Sequence, residues 1–166
     1  MTERFKIISF YRFVKINDIS STKKLIDLHT KNKKIKGTII LASEGINGSI
    51  SGGEDDLRGL LKYLKRILNI RKLSTKTNKV HFLPFNRMKV RLKNEIVSMG
   101  KKNINTEKYS GKLSKPSDWE KIIKKKGVKL LDVRNTYEIE IGSFTGHINP
   151  KTKSFRDFPK VIDKLN

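Results

Sequence analysis

At 166 residues the chain has material for one generous domain or two small ones, and 36% hydrophobic against 33% charged residues allow a core beneath a polar surface. It contains no cysteine, which excludes disulfides, thiolate metal sites and thiol nucleophiles within these residues, and no apolar run approaches a membrane span. The net charge of +22 is divided as +14 over residues 1–100 and +8 over 101–166, so it is not a basic tail on a neutral body. Such a field attracts polyanions, RNA or DNA above all. With 29 of the 38 basic residues being Lys, it also fits the bias of an AT-rich coding sequence. Charge alone does not choose between the two.

The start, MTERFKIISFYRFV, lacks the basic, apolar and small-residue succession of a signal peptide, so a cytoplasmic chain without membrane contact is expected. Residues 5–14 read as a first strand. Asp18 to Ser21 offer caps for a helix to about Asn32, with Leu25 and Leu28 expected inward and lysines outward. Lys36 to Gly53, KGTIILASEGINGSISGG, pairs a β-branched apolar run with a stretch of four glycines and small residues. This predicts a strand, a tight turn and a returning strand over Ile46 to Ser51. The small side chains leave backbone open to a large ligand, although a glycine-rich hairpin that needs only conformational freedom has the same composition.

Glu54, Asp55 and Asp56 suit a helix N-terminus, and Leu57, Leu60, Leu61, Leu64, Ile67 and Leu68 follow at helical spacing. Residues 79–98 return to strand character, with Met88, Val90 and Leu92 alternating with Lys89, Arg91 and Lys93. One face is apolar and the other basic, whether for phosphate contact or simple solvation. The order strand, helix, strand, strand, helix, strand is the split βαβ, ferredoxin-like arrangement of an α+β fold.

Domain boundaries are expected at 1–99, a polar linker over 100–116, and a second domain over 117–166. There, Ser117 and Glu120 form a candidate capping box for SDWEKIIKKK, Gly127 stops that helix, and VKLLDVR reads as a buried parallel strand. A brief helical segment, a loop with Asn-Pro and a helix over 154–165 complete the reading. A strand–helix alternation begins here and stops short of a full α/β domain.

His29, His81 and His147 lack ligand spacing, so no metal site is expected, and no phosphate-loop or dinucleotide signature is present. No serine stands in a triad context, and no catalytic residue is assigned. Asp132 and Arg134 end the apolar strand where α/β proteins place ligands; they are equally placed to pair with each other or with Glu138.

The stretch LLDVRNTYEIEIGSFTGHINP resembles the first half of a rhodanese-type domain, with Asp132, Arg134, Glu138, Ile139, His147, Ile148 and Pro150 in the pattern's places. Together with KGTIILASEGINGSISG, RMKVRLKNEIVSMG and NPKTKSFRDFP it resembles the rhodanese-related tRNA uridine hydroxylases, over essentially the whole chain. The resemblance implies an acylphosphatase-like domain followed by a rhodanese domain. It also implies oxygen-dependent hydroxylation of the wobble uridine of tRNA to 5-hydroxyuridine, with molecular oxygen as co-substrate and no bound cofactor.

The cysteine that the resemblance places after the next rhodanese strand is absent, so the chain is expected to be inactive as it stands, whether as a fragment of a longer enzyme, the product of a decayed gene or a chain cut within the second domain. A fragment of a rhodanese-like sulfurtransferase and a non-catalytic RNA-binding module are the alternatives. For RNA contact the candidates are Lys36, Arg87, Lys89, Arg91 and Lys93, with Glu44, Gly45, Asn47 and Gly48 as a substrate-facing loop. The sequence does not define an oligomeric state.

Overall fold

The first strand, β1 (Phe5–Phe13), directs Ile8 and Phe10 to one side, and the rest of the first unit is built on that face. It is followed by α1 (Ile19–Thr30), β2 (Lys36–Ala42), β3 (Gly45–Gly52), α2 (Glu54–Ile67), β4 (Ser74–Val80) and β5 (Met88–Leu92). The computed structural model describes residues 5–97, 99–100, 111–112 and 114–162. It divides the chain into two units, residues 1–97 and 98–166.

The sheet of the first unit has the order β4-β1-β3-β2-β5. The first four strands stand in the split βαβ order, each antiparallel to its neighbours, and β5 adds to the free side of β2 in parallel. The ferredoxin-like arrangement expected from the sequence is therefore present, extended by one strand.

Both helices cover one face. Ile39 and Leu41 of β2, Ile46 and Ile50 of β3 and Val90 of β5 pack with Ile26 of α1 and with Leu57, Leu60 and Leu64 of α2. The α2 leucines recur every three or four residues, and this stripe drives the helix onto the sheet. Its acidic first turn, Glu54 to Asp56, lies at the positive end of the helix dipole, and Glu54 also pairs with Lys6 at 2.7 Å.

The hairpin turns over Ser43 and Glu44 alone, because Ala42 already pairs with Gly45. Gly37 has φ +132°, and a Cβ there would lie 2.7 Å from the Ile50 Cα, so no larger residue fits between β2 and β3. Gly48 stands directly opposite Phe10, whose ring Cζ would be 2.7 Å from an added Cβ. These glycines are spacers for close strand packing.

Two expectations for this unit are corrected. Leu25 and Leu28 point outward, 45% and 73% exposed, while Ile26 and Thr30 are the buried residues of α1. The Thr30 hydroxyl donates to the Ile26 carbonyl at 2.9 Å, so a threonine occupies a core position that hydropathy assigned to leucine. The strand region read over 79–98 separates into β4 and β5, and β4 begins at Ser74. STKTNKV has almost no apolar side chain to betray a strand; main-chain pairing to β1 holds it at the sheet edge, where its lysines discourage pairing with another chain.

In the second unit, α3 (Pro116–Ile123), α4 (Thr136–Ile141), a single 3₁₀ turn over 155–157 and α5 (Phe158–Ile162) are formed. The α3 N-cap is Lys115 with Pro116 at the first helical position, not Ser117, whose hydroxyl bonds Asp118 instead. Proline's fixed φ suits it to the first helical position, and the cap falls two residues before the expected one. The helix stops at Ile123 with Lys124 as its C-cap, three residues short of the expected end, and Gly127, at φ +81°, lies in the turn beyond it.

The expected parallel strand over 128–134 reduces to one bridge, Leu131 to Ile148. The Ile148 segment supplies main-chain partners to it, through Ile148 N to Leu130 O at 2.7 Å and Asp132 N to Ile148 O at 3.1 Å. A buried strand needs a neighbour on each side, and Val128 and Val133 remain exposed. The helix expected over 154–165 is a 3₁₀ turn and α5, and residues 163–166 fall outside the described residues. So do residues 101–110 and 113 of the expected linker.

Candidate nucleic-acid interface

The helices leave the other face of the sheet open. Alternation along β5 buries Val90 and turns Lys89 and Arg91 to that open face. The parallel register places Lys89 beside Thr38 and Arg91 beside Ile40, while β2 and β3 set Lys36 opposite Ser51, Thr38 opposite Ser49 and Ile40 opposite Asn47. Beyond β3, β1 contributes Ser9 and Tyr11, with Ser9 and Ser49 hydroxyls hydrogen-bonded at 3.0 Å. Lys76 of β4 closes the same row.

The face is thus small and polar at its centre and cationic at both edges. Within the five strands there are seven basic residues and no acidic one. Phosphates approaching this face meet no carboxylate on any strand.

The predicted contacts divide into two groups. Lys89 and Arg91 lie on the open face, with Lys93 just past β5, its N–H on the Leu41 carbonyl at 2.9 Å. Lys36 and Arg87 instead line a cleft of about 610 Å³ beside the C-terminal end of α1. Lys24, Lys31 and Lys33 share it, and Asp27 is the one carboxylate in its lining. The Arg87 carbonyl accepts from Gly37 N at 3.0 Å, which anchors the start of β5 to β2. Lys24, Lys31 and Lys33 are not among the residues expected at a site; helical spacing from Lys24 to Lys31 is the signal the sequence offers for them.

Next to this cleft, the His29 ring stacks on Tyr63 of α2 at 3.9 Å, Arg66 stands 5.2 Å over the same tyrosine, and Lys33 Nζ lies 3.0 Å from His29 Nε2. Partial burial, then the Lys33 and Arg66 charges, hold the His29 pKa below its usual value. The imidazole is therefore the neutral acceptor for Lys33. Protonation is easier in the unfolded chain, so His29 contributes stability above its ordinary pKa of 6.5 that is lost as pH falls. Thermal unfolding followed on acidification below that value should show a falling midpoint, and His29→Gln should flatten the dependence.

The candidate loop residues are structured. Gly45, Asn47 and Gly48 belong to β3, and Glu44 alone is in the turn. The Glu44 carboxylate accepts from Ile96 N at 2.7 Å, and Asn47 Nδ2 donates to Ile96 O at 3.1 Å. Both polar side chains hold the segment after β5, and Ile96 is buried outside the helix-side core.

In the second unit Asp132 is a hub. Its carboxylate accepts from Arg134 Nη2 at 2.6 Å, Arg134 Nε at 3.0 Å, the Arg134 amide at 3.1 Å and Ser143 Oγ at 2.6 Å. The Arg134 hydrogen bonds first, then that of Ser143, hold its pKa far below the ordinary carboxylate range. Arg134 also donates to Gly142 O at 2.7 Å, and His147 Nδ1 meets Phe144 O at 2.8 Å. Glu138 caps α4 through Asn135, an N-cap box that sequence reading did not identify.

These residues fix the loop after α4. Asp132→Asn should speed hydrogen exchange at the Arg134 amide and loosen the loop up to His147, with the first unit unaffected. Protection unchanged from the parent would remove the hub role.

Among the described residues no cluster of His, Asp or Glu could hold a metal ion, and no helix is long and apolar enough to cross a membrane.

An α/β plait with two helices on one face and an acid-free, basic sheet surface on the other defines the class: an acylphosphatase-like module. The chain matches, over residues 5–96, the family model described as UPF0176 acylphosphatase like domain, and it belongs to that family. Relatives from Rickettsia prowazekii and Rickettsia akari are 41% and 38% identical over 164 residues and carry the name tRNA uridine(34) hydroxylase. The alignments cover 99% of this chain and 66% of each relative. The resemblance to the tRNA uridine hydroxylases is thereby borne out. Among solved structures, an acylphosphatase from Coxiella burnetii is similar at TM-score 0.42 and 14% identity, covering 55% of this chain and 100% of that one. The BLUF protein BlrB in its dark state matches at TM-score 0.47 and 12% identity, covering 72% and 92%.

Proposed function

We propose that these 166 residues are the tRNA-engaging portion of a tRNA-modifying enzyme that hydroxylates the wobble uridine with molecular oxygen. The observation that carries this reading is the acid-free sheet with Lys89 and Arg91 on its open face and Lys36 in the adjoining cleft, in a chain whose relatives are named tRNA uridine(34) hydroxylase. The face and the α1 cleft supply phosphate contacts, Lys93 extends the basic row, and the hairpin edge at Glu44 to Gly48 borders the bound loop. The second unit reads as the opening part of a rhodanese-like fold, with Asp132, Arg134, Glu138 and His147 as its structural residues.

No cysteine occurs in the chain, so this portion binds and positions, and the thiol step belongs to residues outside it. The test is titration of unmodified tRNA with the purified chain at several salt concentrations, followed by mass analysis of the recovered nucleosides. The expected result is salt-dependent binding without gain of an oxygen atom on uridine. Absence of binding at low salt overturns the reading, and efficient oxygen incorporation by this chain overturns the division of labour.

A further inference from the structure

Two tyrosines of the first unit are used differently. Tyr63 is occupied, with His29 stacked on its ring and Arg66 over it. Tyr11 sits on β1 inside the sheet, is 44% exposed on the open face, and has no ring or guanidinium stacked on it among the described residues. Its cross-strand partners are Asn47 on β3 and Ser74 on β4, and its neighbour along the same face of β1 is Ser9. All three are shorter than the phenol; on the β3 side Asn47 also carries the Ile96 carbonyl at 3.1 Å, so the segment after β5 is the ring's neighbour there, while on the β4 side its neighbour is Ser74. Arg91 lies in the same row three strands away, about 14 Å at ordinary strand spacing, and Lys76 lies one strand away on the opposite side. A half-exposed aromatic ring between two cationic edges has the chemistry that single-stranded nucleic acid selects: a π surface for a base, with charges for the phosphates before and after it.

We propose that Tyr11 is a base-stacking residue: one unpaired nucleobase of an RNA loop lies on its ring, while Lys76 and the Lys89–Arg91 pair hold the flanking phosphates. This deepens, and rests on, the reading of the chain as a tRNA-engaging module. It also explains why an exposed aromatic stands among serines and an asparagine on the strand surface. A solvated face would be served by Thr or Lys at this position.

The test uses the full 166-residue chain and an RNA stem-loop carrying 2-aminopurine at single loop positions. With the parent chain, fluorescence at one position should change on binding. Tyr11→Phe should preserve that change and the affinity. Tyr11→Ile, which keeps strand propensity, should abolish it and weaken binding by roughly five- to 150-fold, as removal of one base–aromatic stack does. The salt slope should stay that of the parent, because no phosphate contact is lost.

If the parent binds with a strong salt dependence and Tyr11→Ile matches it in affinity and fluorescence, the stacking role is overturned while the tRNA reading stands. If the parent itself does not bind, the tRNA reading fails first. Should Tyr11→Ile melt earlier than the parent, an abasic nucleotide at the responsive position replaces it. The same loss with the parent chain supports the stack, and no loss overturns it.

Discussion

Changing Lys89, Arg91 and Lys93 together to Glu is expected to lower tRNA affinity by about a hundredfold or more at 0.1 M salt and to flatten its salt dependence. Each phosphate contact releases condensed counterion and contributes about 0.7–0.9 to the slope of log affinity against log salt. Loss of three contacts therefore removes about two to three units of slope. The residues stand at the edge of the sheet, with Val90 between the first two facing the core, so their exchange leaves the packed side untouched. The melting temperature should change little, which separates a binding effect from unfolding. Titrations of parent and variant over a range of salt concentrations decide the matter. Equal slopes would show that the basic row of β5 does not meet phosphate.

Leu60→Ala has the opposite signature. Leu60 is fully buried, one helical turn from both Leu57 and Leu64 and facing the sheet. Truncating a buried leucine loses its transfer energy and leaves a cavity, at a cost of about 2–5 kcal/mol. For a unit of this size that lowers the unfolding midpoint by about 8–40 °C, given about 4–8 °C per kcal/mol for domains of 60–100 residues. Calorimetry should show the transition of the first unit displaced by that amount. RNA affinity measured well below the new midpoint should stay near the parent value, because α2 covers the face opposite the basic row. A shift of only a degree or two would mean that α2 contributes little to the core.

What could be read from the residues follows from how each element is held. Helix α2 is kept in place by side-chain burial, and its leucine stripe is written in the chain. The alternation in β5 is equally plain, because one parity is apolar and the other cationic. Strand β4 is held by main-chain pairing to β1, and a string of Ser, Thr, Lys and Asn carries no trace of that partner. Helix α1 misleads because its leucines flank the core side while Ile26 and Thr30 occupy it. In β1 both parities are apolar or aromatic, so nothing local marks Tyr11 as outward; that depends on where the helices cross. The same holds for Lys36 and Arg87, brought to one cleft by the parallel pairing of β2 with β5.

The separation of charge between the two sides of the first unit has a kinetic corollary. Its described carboxylates lie on helices, turns and loops, whereas the charged side chains of its strands are all cationic. In the field of a polyanion such a body feels a torque as well as an attraction, and it rotates sheet-first while still diffusing. Fewer encounters are then wasted on the wrong orientation, and the capture rate should depend on ionic strength more steeply than the rate of release.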